Sequence, residues 1–287
     1  MKKIRAFTLI NNTIMILLAV ICVLPFLHII AVSLSSSNMV TSNSVTFWPK
    51  EFTLISYEKA LENKQLLSSL WISVQRTVLS LGIGLTINCM GAYALSKGGG
   101  REGIGGYRFF VAFFVVAMLF NGGMIPTYLV VTNLGLYNSI WALVLPHAVN
   151  IFYLILIMNF FKALPKELEE AAYMDGARHI KVFTKLMLPL SIPVLATVGL
   201  FSIVFEWNEW LSGQIYMKPD NVPLSTFLKQ VIAMPVIDMN NAAEAAKYNS
   251  TSLNSAQIFI GALPILMIYP VLQKFFAQGI VVGAVKE

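Results

Sequence analysis

A chain of 287 residues that is 57% hydrophobic and only 12% charged cannot hide its apolar side chains inside a soluble globule. Soluble domains carry about 25% charged residues, and a water-facing surface this apolar would aggregate, so the expected solvent is a bilayer. The net charge of +6 comes from scattered lysines and arginines rather than a basic run or an interleaved aromatic–basic patch, so nucleic acid is not an expected partner.

The chain begins Met1-Lys2-Lys3-Ile4-Arg5 and runs into an apolar stretch reaching Leu34. That stretch is longer than the roughly 7–15 residues of a signal-peptide core, and it reads as a retained first span. About 20 mostly apolar residues are needed to cross the hydrocarbon. Six segments qualify, at 12–34, 70–95, 109–131, 139–161, 190–211 and 256–276. Each is expected to be a helix, because an open strand leaves its backbone polar groups unsatisfied in lipid. Pro25, Pro126, Pro146, Pro193, Pro264 and Pro270 fall in or near these segments and read as kinks. Ser80, Gly82 and Gly84 give the second segment a small face for close helix packing.

Basic residues orient the spans. With the N-terminus in the cytosol, thirteen of the twenty Lys and Arg residues fall on inner segments, six on outer ones, and Arg76 inside the second span. Both termini are therefore expected to be cytoplasmic. The outer segments 35–69 and 212–255 are polar and rich in Asn and Ser, and a tight outer turn at 132–138 holds Asn133 and Gly135. No internal repeat or linker stands out, so the expectation is an all-α polytopic protein with one transmembrane domain over 1–287.

Several motifs carry less than they promise. Gly98-Gly99-Gly100-Arg101-Glu102-Gly103 satisfies GxGxxG as a string. It follows no predicted strand and no Lys-Ser/Thr completes a Walker loop, so it reads as a cytosolic turn and no nucleotide is expected on this chain. Asn249-Ser250-Thr251 is a formal glycosylation sequon of little weight. Cys22 and Cys89 sit at different depths in separate spans and read as small packing residues. No cysteine–histidine cluster suggests a metal site. No nucleophile–base pair suggests an enzyme.

Residues 162–189 form the longest inner loop. Pro165 followed by Glu167, Glu169 and Glu170 marks a helix start, with acids where the helix dipole favours them. Ala171 and Ala172 favour helix and let another surface approach the backbone, and Gly176 permits a turn. Ile180, Val182, Phe183, Leu186 and Met187 then lead to Pro189. On composition alone this is a surface-lying amphipathic helix between two spans.

The spacing says more. Glu170-Ala171-Ala172, three residues, Gly176, nine residues, Leu186, one residue and Leu188-Pro189 together resemble the EAA loop of binding-protein-dependent ABC importers, with Leu where the family more often has Ile. Ala92-Tyr93-Ala94-Leu95-Ser96, Trp207-Asn208-Glu209 and the tail Lys274-Phe275-Phe276, Gly279-Ile280 and Gly283-Ala284-Val285-Lys286 resemble segments of carbohydrate permeases. The resemblance thus covers the whole chain and is nearest the maltose-type carbohydrate uptake class.

It implies a type I ABC importer transmembrane fold in the bacterial cytoplasmic membrane. It implies a second homologous permease, two ABC ATPase subunits that use ATP and Mg²⁺, and an extracytoplasmic solute-binding protein docking on 35–69 and 212–255. It assigns Glu170, Ala171, Ala172 and Gly176 to the ATPase contact, with Asp175, Ala177 and Phe183 in support, and lets the tail reach the same interface. The cargo it implies is a sugar, an oligosaccharide in the first place, with a polyol phosphate or an amino sugar as alternatives. Six spans alone would also allow an ATPase-independent carrier or channel.

Charges inside spans are costly and mark partners or cavities. Arg76 and Glu206 lie at similar depth in antiparallel spans and are expected to pair or to line the pathway together. His147 and Asn150 sit mid-span, as packing groups or pathway residues. Trp207 and Trp210 are either interfacial anchors or stacking platforms for sugar rings, with Asn208, Glu209 and Gln214 as hydroxyl partners. An acidic saccharide assisted by Arg76 is conceivable, although one arginine does not decide it.

Overall fold

The computed structural model describes residues 2–98, 105–120, 122–233 and 249–284. Among them there are helices and turns and no strand. The first, second and sixth predicted spans are unbroken helices: α1 (Lys2–Ser33), α4 (Lys64–Ser96) and, at the end of the chain, Ser250–Ala284. The 33 residues of α4 make about 50 Å of helix at 1.5 Å per residue. That is longer than a hydrocarbon core of about 30 Å, so α4 projects beyond it.

The other three spans are not the continuous helices the hydropathy pattern suggested. In place of 109–131 stand α5 (Tyr107–Leu119) and α6 (Met124–Asn133), with Gly123 at φ 90 just before α6. In place of 139–161 stand α7 (Ile140–Val144), a 3-10 turn at Leu145–His147 and α8 (Ile151–Ala163), bent by 48°. The predicted 190–211 span runs only over α12 (Ile192–Asn208), 77° from the preceding segment His179–Leu190. Among the described residues three helices are thus long and apolar enough to cross a membrane, or up to six if each bent pair is one span.

The breaks have local causes. Pro146 has no N–H to give the ladder, and Pro193 at the start of α12 fits only a first turn. The new helix starts are capped from within: Ser139 accepts from Trp141 N–H at 3.3 Å, and Asn150 Oδ1 accepts from Tyr153 N–H at 3.2 Å. The carbonyl of Ala148, freed at the second break, accepts from Asn88 Nδ2 of α4 at 3.1 Å. Broken helices survive in lipid when neighbours satisfy them in this way. The predicted turn at 132–138 holds, with Gly135 at φ 69 and Asn138 at φ 58.

Two compact units make up the chain, each discontinuous in sequence. One contains α1, α2 (Ser37–Thr41), α3 (Ile55–Glu62), the start of α4 and the last helix as far as Pro264. Inside it, Ser33 Oγ meets Tyr57 OH at 2.8 Å, and Tyr57 lies edge-on to Phe259 at 6.3 Å. Burial pushes the Tyr57 hydroxyl above its usual pKa, with the Ser33 hydrogen bond working the other way.

The second unit, Trp71–Thr226 with Ile265–Glu287, holds the larger core. Cys89, Ala92 and Leu95 of α4 pack with Leu154, Ile157 and Phe161 of α8 and Val194 and Val198 of α12. The small face of α4 includes Ser80, which is buried, and Gly84, and it extends to Gly91, but Gly82 is not part of it. A Cβ on Gly84 would stand 3.4 Å from Ala148 O and one on Gly91 3.1 Å from Leu154 Cδ1, whereas Gly82 faces open space. Both cysteines are free thiols. The chain continues through α9 (Lys166–Met174), α10 (His179–Val182), a π-turn at Phe183–Met187, α11 (Leu188–Leu190), α13 (Leu211–Tyr216), α14 (Leu224–Ala233) and α15 (Ser250–Ala284).

Gly213 in α13 marks the tightest approach. A Cβ there would fall 2.2 Å from Thr226 Oγ1 and 2.6 Å from Pro223 Cδ. Overpacking of this kind costs about 1–3 kcal/mol. Gly213→Ala is therefore expected to lower the thermal unfolding midpoint of the detergent-extracted protein, while Gly82→Ala leaves it unchanged or raises it. Equal midpoints for the two variants would contradict this packing.

Candidate functional site: the 162–189 loop and the buried Arg76 cluster

The loop 162–189 is ordered by its own sequence. Pro165 stands just before the first turn of α9, and Glu167 and Glu169 occupy that turn. The helix closes with Gly176 at φ 77, Ala177 N–H donating to Ala172 O at 3.0 Å and Gly176 N–H to Tyr173 O at 2.9 Å. This is a Schellman closure, which needs a residue that tolerates the left-handed region. Glu170, Ala171, Asp175 and Gly176 are exposed on the result. Ala172, Ala177 and Phe183 turn inward and pack on the α4–α8–α12 core. The seven residues that the EAA spacing singled out thus divide into an outward face and an inward anchor.

A contact network ties α9 to the end of α4. Lys97 pairs with Glu169, and its ammonium lies 4.7 Å from the Tyr93 ring centre and 5.8 Å from that of Tyr173. Cations over aromatic faces are attracted by the ring quadrupole. Tyr173 OH bonds His179 Nδ1 at 2.8 Å, and Tyr93 packs on Phe183 with ring centres 5.0 Å apart. Sequence reasoning missed Lys97, Glu169, Tyr173 and His179 as a group. The one signal was the A-Y-A-L-S segment, which places Tyr93 one turn before Lys97. The Gly98–Gly103 string that follows lies mostly outside the described residues.

The second site is electrostatic. Arg76 on α4 has no exposed surface. Its Nε donates to Glu206 Oε2 at 2.7 Å, its Nη2 to Glu209 Oε2 at 2.8 Å, and its Nη1 to the Glu209 carbonyl at 3.0 Å. Glu209 sits at the C-terminal cap of α12, and its Oε1 accepts from Ser212 N–H at 2.9 Å. Ser225 Oγ donates to the Glu209 carbonyl and Thr226 Oγ1 to that of Trp210, at 2.8 and 2.7 Å. Arg76 and Glu206 therefore pair, as their depth suggested. Glu209, which the sequence offered as a hydroxyl partner, is committed to Arg76 and to the turn into α13. The i, i+3 spacing of Glu206 and Glu209 was the available signal.

The other singled-out residues divide. His147, Asn150 and Glu206 line one cavity with Ser80 and Asn88. His147 lies edge-on to Phe205 with ring centres 5.3 Å apart. Trp207 is buried, Trp210 is half-buried, and Asn208 is exposed and donates to Val204 O at 2.8 Å. None of these last three lines that cavity.

One guanidinium faces two carboxylates in the cluster, so its formal charge is −1. Removing the cation leaves the buried Glu206 and the partly buried Glu209 uncompensated, a loss of about 3–5 kcal/mol. Arg76→Met is expected to abolish monodisperse elution of the detergent-extracted chain in size-exclusion chromatography, whereas Glu206→Gln, which keeps the Glu209 pair, elutes as the parent does. An unaltered Arg76→Met profile would contradict a structural role for this cluster.

Residues 107–282 match the family of inner membrane components of binding-protein-dependent transport systems. The chain is 37% identical to the polygalacturonan/rhamnogalacturonan transport system permease protein YtcP of Bacillus subtilis (strain 168), over 99% of each chain. It is 40% identical to protein LplC of the same organism, over 93% of this chain and 90% of that protein. Among solved structures it is similar to a chain of a bacterial ABC transporter involved in the import of the acidic polysaccharide alginate, with a TM-score of 0.88, 30% identity, and 95% of this chain and 97% of that one covered. The chain belongs to the family of inner membrane components of binding-protein-dependent transport systems: it is a multi-pass permease of the cytoplasmic membrane with the type I ABC importer fold, a class that works with ATPase and binding-protein partners.

Proposed function

We propose that this chain is one of two homologous permeases enclosing the route of a glycan importer, with α9 as its contact to an ATPase subunit. The observation that carries the coupling role is the division of the 162–189 loop: Glu170, Ala171, Asp175 and Gly176 outward, and Ala172, Ala177 and Phe183 locked into the core. A docking knob needs small exposed residues that let a partner approach the backbone, and a base that does not yield when pushed. The pair between Lys97 and Glu169 and the aromatic stack around Tyr173 give α9 that base on α4.

ATP and Mg²⁺ belong, in this reading, to two ATPase subunits, and the permease itself is non-catalytic. ATP binding draws the ATPases together and carries α9 with them. The core of α4, α8 and α12 follows, opening the route outward, and hydrolysis resets it. An extracytoplasmic solute-binding protein delivers the cargo against the outer segments 35–69 and 212–255. Exposed Trp48 and Phe52 on the first of these supply an apolar docking patch. Residues 234–248 of the second lie outside the described residues, as does the end of the tail. Arg76, His147, Asn150, Glu206, Trp207, Asn208, Glu209 and Trp210 frame the route on this chain, some as its lining and some as the supports behind it. The glycan cargo is supported by the relatives named for polygalacturonan/rhamnogalacturonan transport and for alginate import.

Gly176 offers the sharpest test. At φ 77 it tolerates Asn or Asp better than a branched side chain, so those two replacements differ chiefly in charge. Gly176→Asp, which adds a charge to the knob, is expected to abolish glycan-stimulated ATPase activity of the reconstituted importer while the chain still accumulates in the membrane. Gly176→Asn is expected to retain a substantial part of the stimulation. Full stimulation in Gly176→Asp would overturn the coupling role.

A further inference from the structure

The stretch that follows Gly176 lies at an angle that fixes its setting. His179–Leu190 runs through α10, the π-turn and α11 and meets α12 at 77°. Spans tilt by only about 20° from the bilayer normal on average. A helical segment nearly perpendicular to one of them lies close to the membrane plane, here on the cytoplasmic side.

Its two faces differ. Val182 and Met187 are buried, and Phe183 and Leu186 pack with them on the α4–α8–α12 core. Lys181 and Lys185 are exposed on the other side, and Arg178, just before α10, is exposed as well. The π-turn at Phe183–Met187 closes from i to i+5, which brings a step of four residues nearer to a full turn. The two lysines therefore project along nearly one line. None of the three cations pairs with a carboxylate among the described residues, and Glu169 is already committed to Lys97. Like charges four residues apart on a helix repel, so an anion from outside the chain favours this arrangement.

The far end of the segment indicates which anion. Leu190 and Ile192 are exposed where the chain becomes α12, so they meet acyl chains. Exposed Ile180 offers a similar apolar contact beside Lys181. At about 1.5 Å per residue, Lys185 stands roughly 8 Å and Lys181 roughly 14 Å along the axis from Leu190. A segment in the membrane plane keeps to one depth over such distances. Its lysines thus lie in the headgroup layer, where cations attract anionic lipids.

We propose that Arg178, Lys181 and Lys185 form a binding strip for the phosphates of anionic phospholipids in the inner leaflet, holding the segment between α9 and α12 on the bilayer surface. An acidic patch of an ATPase subunit is the rival occupant. The in-plane setting and the apolar side chains continuous with α12 favour lipid. The proposal concerns how the permease sits in its bilayer and does not require that α9 touch an ATPase.

The test is native mass spectrometry of the intact importer titrated with phosphatidylglycerol or with phosphatidylcholine of the same acyl chains. The parent is expected to hold its first phosphatidylglycerol on the order of tenfold more tightly than its first phosphatidylcholine. Lys181→Gln combined with Lys185→Gln is expected to bring the two lipids to within about twofold of each other and to keep the ATPase subunits bound. Lys50→Gln combined with Lys64→Gln removes the same charge from exposed outer positions and is expected to keep the parent's preference. A preference retained by the inner variant, an equal loss in the outer one, or no preference in the parent would each overturn the proposal. Loss of the ATPase subunits with the lipid preference intact would give the strip to the ATPase instead. If the double variant does not assemble, Lys185→Gln alone carries the test: a reduced preference supports the strip, and an unchanged one overturns it.

Discussion

A guanidinium with no exposed surface must be neutralised where it lies, and much of the second unit is arranged to do so. Arg76 cannot reach water from α4, so carboxylates must come to it. They arrive from one place, the C-terminal end of α12, where Glu206 and Glu209 lie one turn apart. The demand fixes the end of α12 against α4. It also sets the turn into α13, because Glu209 holds Arg76 with one oxygen and Ser212 N–H with the other. Leu224 at the start of α14 is then held on α4 through Ser73 Oγ at 2.8 Å. An ion cluster of this kind adds little net stability over an apolar equivalent, but it tolerates few arrangements. Its value here is geometric.

The same helix carries a second anchor at its other end. Lys97 and Tyr93 hold α9 through Glu169 and Tyr173, and Phe183 packs beneath. One continuous helix thus joins the exposed knob at Glu170–Gly176 to the buried charges at Arg76, with the cavity of Ser80 and Asn88 between them. A push on α9 has a rigid lever to act through. The break before α8 lies against that lever, since Asn88 satisfies the carbonyl the break sets free.

Much of this was legible in the sequence, and the exceptions have physical reasons. Hydropathy located all six apolar segments, because a bilayer demands length and composition whatever the packing. It could not show that three of them are bent. Bends depend on whether a neighbour offers a donor to an orphaned carbonyl, as Asn88 does for Ala148, and no single segment records that. The EAA spacing singled out the Glu170–Gly176 segment, but its division into outward and inward residues follows from the Schellman turn and from contacts with α4 and α8. Arg76 and Glu206 were matched by depth and sign. Glu209 was misjudged as free to bind hydroxyls, because nothing in the string Trp207-Asn208-Glu209 reveals that the helix ends there and turns its last carboxylate inward.

If α4 is a rigid lever anchored at both ends, α9 and the start of α13 move together when the ATPases close. The most direct measurement is a spin-label distance between Leu168→Cys on α9 and Leu211→Cys at the start of α13, both exposed positions within the second unit, in the assembled importer with Cys22 and Cys89 replaced. The account predicts the same distance distribution in the nucleotide-free and ATP-bound states. A change of several ångströms between the two states would contradict it.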